Sequence, residues 1–222
     1  MLRDVALVAG KDLRIEARSR VAVNQIAPFA LLVLVLFAFA LEPDRGVLAR
    51  AAAGLFWLAV AFSALLAVQR SFAVESADAG RDGLRLSGLD PAAIFLGKAA
   101  AVAAQLLALE VLLAAGVTVL YDARLSGALL LALTCVAASV GLAAAGCLYG
   151  VLSAGTRVRE TVLPLLLVPV ISPVVLSATR AWEAAMAGSP EAGWPWLRLL
   201  VAFAAVYAAV GAASFGVLLE DG

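Results

Sequence analysis

Long apolar runs alternate with short polar segments along the whole chain. Five of the runs are at least as long as a bilayer is thick, and a sixth, TVLPLLLVPVISPVVLSAT, is as apolar but interrupted by prolines. Taken as helices of about 20 residues, the length that crosses a hydrocarbon core, the runs predict spans over 22–41, 51–69, 97–120, 127–150, 161–179 and 199–218. Six such spans occupy roughly 120 positions. The remainder suffices for loops and one surface helix, so the expectation is an all-α integral membrane protein with a single transmembrane domain over residues 1–222.

Residues 2–20, LRDVALVAGKDLRIEARSR, follow a different period. On a helical wheel Leu2, Val5, Ala6, Ala9, Leu13 and Ala17 share one face, while Arg3, Lys11, Arg14 and Arg18 lie opposite. This pattern predicts a helix lying along the membrane surface with its basic face toward anionic headgroups. The apolar run that follows reads as a first anchor rather than a cleaved signal, because the polar stretch before it is too long and no small-residue cleavage motif follows.

Composition agrees with the pattern. The chain has 222 residues, is 64% hydrophobic and 14% charged, and carries 16 basic and 16 acidic residues, so no nucleic-acid partner is expected. Charge placement is more informative than its sum. With the N-terminus cytoplasmic, the inside receives Arg3, Lys11, Arg14, Arg18, Arg20, Arg70, Arg81, Arg85, Lys98, Arg157 and Arg159, and the outside only Arg45, Arg50, Arg124, Arg180 and Arg198. That asymmetry predicts both termini inside. Trp182, Trp194 and Trp196 then fall in the outer loop before the last span, where interfacial aromatics belong.

The largest predicted cytoplasmic loop joins spans two and three and contains AGRDGLRLSGLDPAAIFLGK, Ala79 to Lys98. Its Gly97-Lys98 end resembles the tail of a phosphate-binding loop. That loop requires a glycine five residues earlier and Ser or Thr after the lysine, and here Ala99 follows Lys98, so no nucleotide site is predicted. What remains is a short helix-capable segment, ESADAGRDGLRLSGL, in which Leu84, Leu86 and Leu89 lie among charges and which Asp90-Pro91 ends. Such a segment suits docking to a soluble partner or is simply a solvated loop.

Inside the spans, Glu110 is the one deep acidic residue, and Gln105 is its nearest polar neighbour in the same helix. An intramembrane carboxyl points either to a functional path or to a hydrogen bond with another helix. Pro164, Pro169 and Pro173 predict bends or breaks in the fifth span, either at a moving element or as static kinks. Gly127, Ala138, Gly141, Ala145 and Gly146 mark the fourth span as closely packed. Cys135 and Cys147 lie about 18 Å apart along that helix, too far for a disulfide. There is no histidine, which removes the commonest metal ligand, the usual general base and histidine ligation of haem; for haem only Met186, the cysteines or a tyrosine would remain. No catalytic set is present, and an enzyme is not expected.

Three ordered blocks carry a resemblance. GLFWLAVAFSALLAVQRSFAVE (Gly54 to Glu75), RDGLRLSGLDPAAIFLGK (Arg81 to Lys98) and TRVRETVLPLLLVPVISPVV (Thr156 to Val175) resemble the permease, or B component, of the bacterial haem exporter of cytochrome c maturation, over nearly the whole chain. One departure is Ser87-Gly88-Leu89-Asp90-Pro91, more polar than the leucine-rich run that the family carries there. The resemblance implies an ABC-2 type exporter permease with an elbow helix over 2–20, six spans, and a coupling helix within Glu75 to Leu89. In that scheme Glu75, Arg81, Asp82, Gly83, Leu84, Arg85 and Leu86 would couple to an ATPase, while Glu110, Pro164, Pro169 and Pro173 would shape the membrane part.

It also implies a separate ATPase that binds ATP and magnesium, a second copy of this permease, a haem-handling membrane protein, a small membrane subunit and a periplasmic haem chaperone. The setting would be the bacterial inner membrane. No cofactor is expected on this chain, and haem would be handled by another subunit. Alternatives are an ABC-2 permease exporting a lipid or drug, an ion-driven secondary transporter, which would carry paired intramembrane charges or an internal repeat, and a membrane scaffold.

Overall fold

Each apolar run folds as a helix because lipid offers no partner to a backbone amide, and a helix satisfies its amides within one segment. The computed structural model describes residues 1–41, 45–77, 88–153 and 159–221, with side chains at 1–41, 46–73, 88–152 and 163–218. Helix α1 is Leu2–Ser19. The helices that follow are α2 (Ala22–Ala40), α3 (Arg45–Ala77), α4 (Pro91–Tyr121), α5 (Ala128–Ser153), α6 (Arg159–Met186) and α7 (Trp194–Asp221). Among the described residues, α2 to α7 supply six helices long and apolar enough to cross a membrane, in the order that hydropathy predicts. The chain is thus an all-helical, multi-pass membrane protein.

Local chemistry sets the ends. Arg20 takes a left-handed conformation after α1 and returns its N–H to the Glu16 carbonyl, turning the chain sharply. The Glu16 carboxylate then accepts the Ala22 N–H at 2.5 Å, so one acidic side chain caps the start of the first span. Pro28 cannot donate to the carbonyl four residues back. The helix absorbs this with a π-helical turn over Ala22–Ile26 and continues regularly from Ala27.

At the third span, Asp90 accepts the Ala92 N–H at 3.0 Å and Pro91 takes the first helical position. The Asp-Pro pair therefore begins α4 as well as ending the loop. The helix starts six residues before the predicted boundary at residue 97, and Lys98 stands two turns inside it.

The fifth and sixth spans also run longer than the hydropathy limits. Helix α6 continues to Met186, where Gly188 in the left-handed region lets the Ser189 N–H reach the Ala184 carbonyl and close the helix. A short 3-10 turn, Pro190–Gly193, leads straight into α7. Trp182 is consequently not in an outer loop. It lies within α6, 2% exposed, its ring stacked on Phe56 of α3 at 4.0 Å and edge-on to Trp57 at 5.6 Å. Trp194 and Trp196 occupy the first turn of α7 and are half-buried.

Helix α5 is the hub, packing against α3, α4, α6 and α7. Its small residues permit this: Ala138, Ala143, Ala144 and Ala145 are buried, and a Cβ added at Gly146 would lie 2.4 Å from a Val68 methyl of α3. Helix α1 does not float apart from the bundle. It lies against α4, with Val8 buried and Gly97 directly beneath it. The C-terminal part of α7 reaches the same end, where Gly216 lies against Pro91.

Candidate functional site: the elbow junction and the buried glutamate

The wheel of α1 divides differently from its sequence pattern. Leu2, Ala6, Leu13 and Ala17 are exposed and available to lipid, whereas Val5, Val8 and Ala9 pack on the bundle. Asp12, one turn beyond Val8, extends this inward face and meets Lys98 of α4.

Lys98 is 1% exposed, yet its ammonium is well supplied. Nζ donates to Asp12 Oδ2 at 3.2 Å and to Ser71 Oγ of α3 at 3.4 Å, and it stands 5.0 Å from the centre of the Phe72 ring. One cation thereby joins α1, the end of α3 and the start of α4. The helices come together because small residues let them. A Cβ at Gly97 would lie 2.6 Å from the Cβ of Val8, and one at Gly150 of α5 would lie 2.5 Å from the Phe72 ring. Beside the junction a cleft of about 40 Å³ is lined by Lys11, Asp12, Glu16, Arg70 and Gln105.

Glu110 lies deep in α4, 2% exposed. Ser139 of α5 donates its hydroxyl to Glu110 Oε1 at 2.8 Å, and the Cys135 thiol, one turn before Ser139, stands beside the same carboxyl. Of the two readings, the geometry favours a hydrogen bond between helices. Glu110 Oε2 has no partner among the described residues. Gln105 is not beside Glu110; it lines the cleft near Asp12.

Pro164, Pro169 and Pro173 all lie inside α6, which runs through them as one helix. Pro164 and Pro173 are half-buried and Pro169 is exposed, so the three do not share a lining. Side chains occupy nearby carbonyls: Tyr207 of α7 bonds the Val170 oxygen at 2.7 Å, and Ser177 bonds the Pro173 oxygen at 2.7 Å. The side chain of Glu75, together with Arg81, Asp82, Gly83, Leu84, Arg85 and Leu86, lies outside the described residues. What the structure gives around the segment expected to couple is its two feet, α3 ending at Ala77 and α4 beginning at Pro91.

Of the sulfur atoms, Cys147 is buried in α5, Cys135 is half-buried beside Glu110, and Met186 lines a cleft of about 460 Å³ at the end of the bundle away from α1. Arg50, Asp122, Arg124 and Glu183 line the same cleft. No cluster of three metal-binding side chains occurs among the described residues.

Sequence reasoning passed over Asp12, Ser71, Phe72 and Ser139. Two signals were available. Asp12 is an acid on the face that continues Val5 and Val8, and Lys98 is a cation seven residues into a helix, where an ionisable group comes with a partner.

These features define a six-span helical membrane protein with an amphipathic helix clasped across one end of its bundle. The family model described as CcmB protein matches residues 3–220. Heme exporter protein B of Haemophilus influenzae is 30% identical over 199 residues, covering 82% of this chain and 83% of its own. The chain belongs to the CcmB family, as the three sequence blocks indicated.

Proposed function

We propose that the chain is the permease of an ABC-type haem exporter serving cytochrome c maturation. It is non-catalytic: a separate ATPase binds ATP and magnesium, and this chain converts ATPase closure into rearrangement of its spans. The observation that carries the reading is similarity to a protein named heme exporter protein B across four-fifths of both chains. The bundle is compatible with it. The segment between α3 and α4, rich in charge and leucine, joins them at the end where α1 lies, and this is the surface an ATPase would meet.

In this reading both termini and the coupling segment Glu75–Leu89 face the cytoplasm of a bacterium, and the protein sits in the inner membrane. A second permease copy, a haem-handling membrane protein, a small membrane subunit and a periplasmic haem chaperone complete the assembly, with haem ligated outside this chain. Glu110 and the α6 prolines hold the membrane part in shape.

The test is co-purification with the ATPase. Replacing Leu84 and Leu86 together with Asp leaves the permease inserted and abolishes capture of the ATPase; unchanged capture would sink the docking assignment. Holocytochrome c yield on deletion of the gene separates haem service from export of a lipid or drug, since the latter predicts normal yield.

A further inference from the structure

We infer that Lys98 is a positioning residue that makes α1 move together with the two feet of the coupling segment. The inference rests on the reading of that segment as the ATPase contact. Ser71 and Phe72 stand at the end of α3, just before Glu75, and Lys98 is seven residues past Pro91 on the outgoing helix. A single ammonium touches the incoming foot, belongs to the outgoing foot, and holds Asp12 of the surface helix at 3.2 Å. A push on the segment between the feet therefore reaches α1 through an atom that all three elements share.

Stability alone is a poor reason for this arrangement. A buried ion pair can usually be replaced by apolar side chains of similar volume without loss, because desolvation offsets most of the attraction. An ion pair differs from an apolar contact in its dependence on distance and direction. Apolar side chains can slide past one another, whereas drawing a buried ammonium away from its carboxylate weakens the attraction with every step. The glycine at 97 presses α1 onto α4 so closely that a Cβ there would meet Val8 at 2.6 Å and the Val5 carbonyl at 2.9 Å, which leaves the pair no slack. The outward face of α1 carries Leu2, Leu13, Arg14 and Arg18 in the exposed positions, so movement of the helix is movement against the lipid surface.

The experiment uses the intact complex with its ATPase in nanodiscs and compares the wild type with Lys98→Met, Lys98→Arg and Asp12→Asn. Methionine keeps the volume and removes the charge; arginine keeps the charge. Two quantities are read: hydrogen exchange of the α1 amides with and without ATP, and holocytochrome c yield in cells. The expectation is that all variants insert and capture the ATPase, and that ATP changes α1 exchange in the wild type and in Lys98→Arg. In Lys98→Met and Asp12→Asn the ATP response of α1 is lost, and yield falls at least about fivefold, the scale of an ordinary coupling energy. An α1 response to ATP in Lys98→Met equal to that of the wild type would overturn the inference while leaving the permease assignment standing. Failure of the wild type to hold any ATPase would overturn the functional reading and the inference with it.

Discussion

Lys98 in α4 and Asp12 in α1, 86 residues apart in the chain, meet at 3.2 Å with the lysine almost wholly buried. The two partners are not equivalent. Lys98 is 1% exposed and Asp12 is 12% exposed at the side chain, so their losses differ in kind.

Removing the acid takes a carboxylate from a cation that water cannot reach. Asp12→Ala is expected to cost about 3–5 kcal/mol, the penalty for deleting one member of a buried pair. Lys98→Met removes the buried charge itself and leaves an acid that can turn toward water, so it costs much less. Thermal unfolding of the purified proteins in detergent measures the order; an equal or larger loss for Lys98→Met would contradict the asymmetry.

Close packing predicts a second pair. Gly146→Leu forces a side chain into the space of Val68, where even a Cβ would stand 2.4 Å from a methyl, and overpacking of this kind costs about 1–3 kcal/mol. Gly10→Ala, on α1, adds a Cβ that meets nothing within 4 Å and is expected to leave folding intact. Expression level and melting temperature of the two variants provide the comparison.

For Glu110, the Ser139 hydrogen bond separates shape from charge. Glu110→Gln keeps an acceptor oxygen for the Ser139 hydroxyl and is expected to preserve assembly and holocytochrome c yield. Glu110→Leu leaves that hydroxyl without its partner and lowers stability by about 1 kcal/mol. A loss of yield in the Gln variant with assembly intact would show that the carboxyl has a role beyond joining α4 to α5.

The aromatic group joining α3 and α6 is expected to be a large single contributor. Trp182→Ala empties a site enclosed by Phe56 and Trp57, with a cost of about 3–5 kcal/mol. Trp182→Phe retains the stacked ring and loses less. Pro169→Ala, at an exposed position of an unbroken helix, is expected to leave the melting temperature unchanged or slightly raised, because it restores a backbone donor.

The spans were legible in the sequence because bilayer thickness sets a length that hydropathy alone can detect, and α2 to α7 follow the predicted order. Their ends were legible only where capping chemistry was applied. Asp90-Pro91 carries the N-cap signature of α4, yet inside a polar loop the same pair reads as a breaker, so the boundary fell at Gly97. Trp182 was misplaced for a related reason: a tryptophan near the end of a hydropathy window looks interfacial, and nothing local reveals Phe56 waiting on another helix. Partner choice is the least local property of all. Neither Asp12 nor Ser139 names its partner until the chain between has folded.

Helix α3 has 33 residues, about 50 Å, well beyond the hydrocarbon thickness of about 30 Å. Trp182 grips it at Phe56, 11 residues from its Arg45 end and 21 from its Ala77 end. The same rod is held again nearer its Ala77 end, where Val68 and Phe72 pack on Gly146 and Gly150 of α5 and Ser71 bonds Lys98. A stiff helix clamped at both levels passes displacement on whole, so movement of its Ala77 foot would carry Phe56 with it and be felt at the far end, where Arg50 lines a cleft.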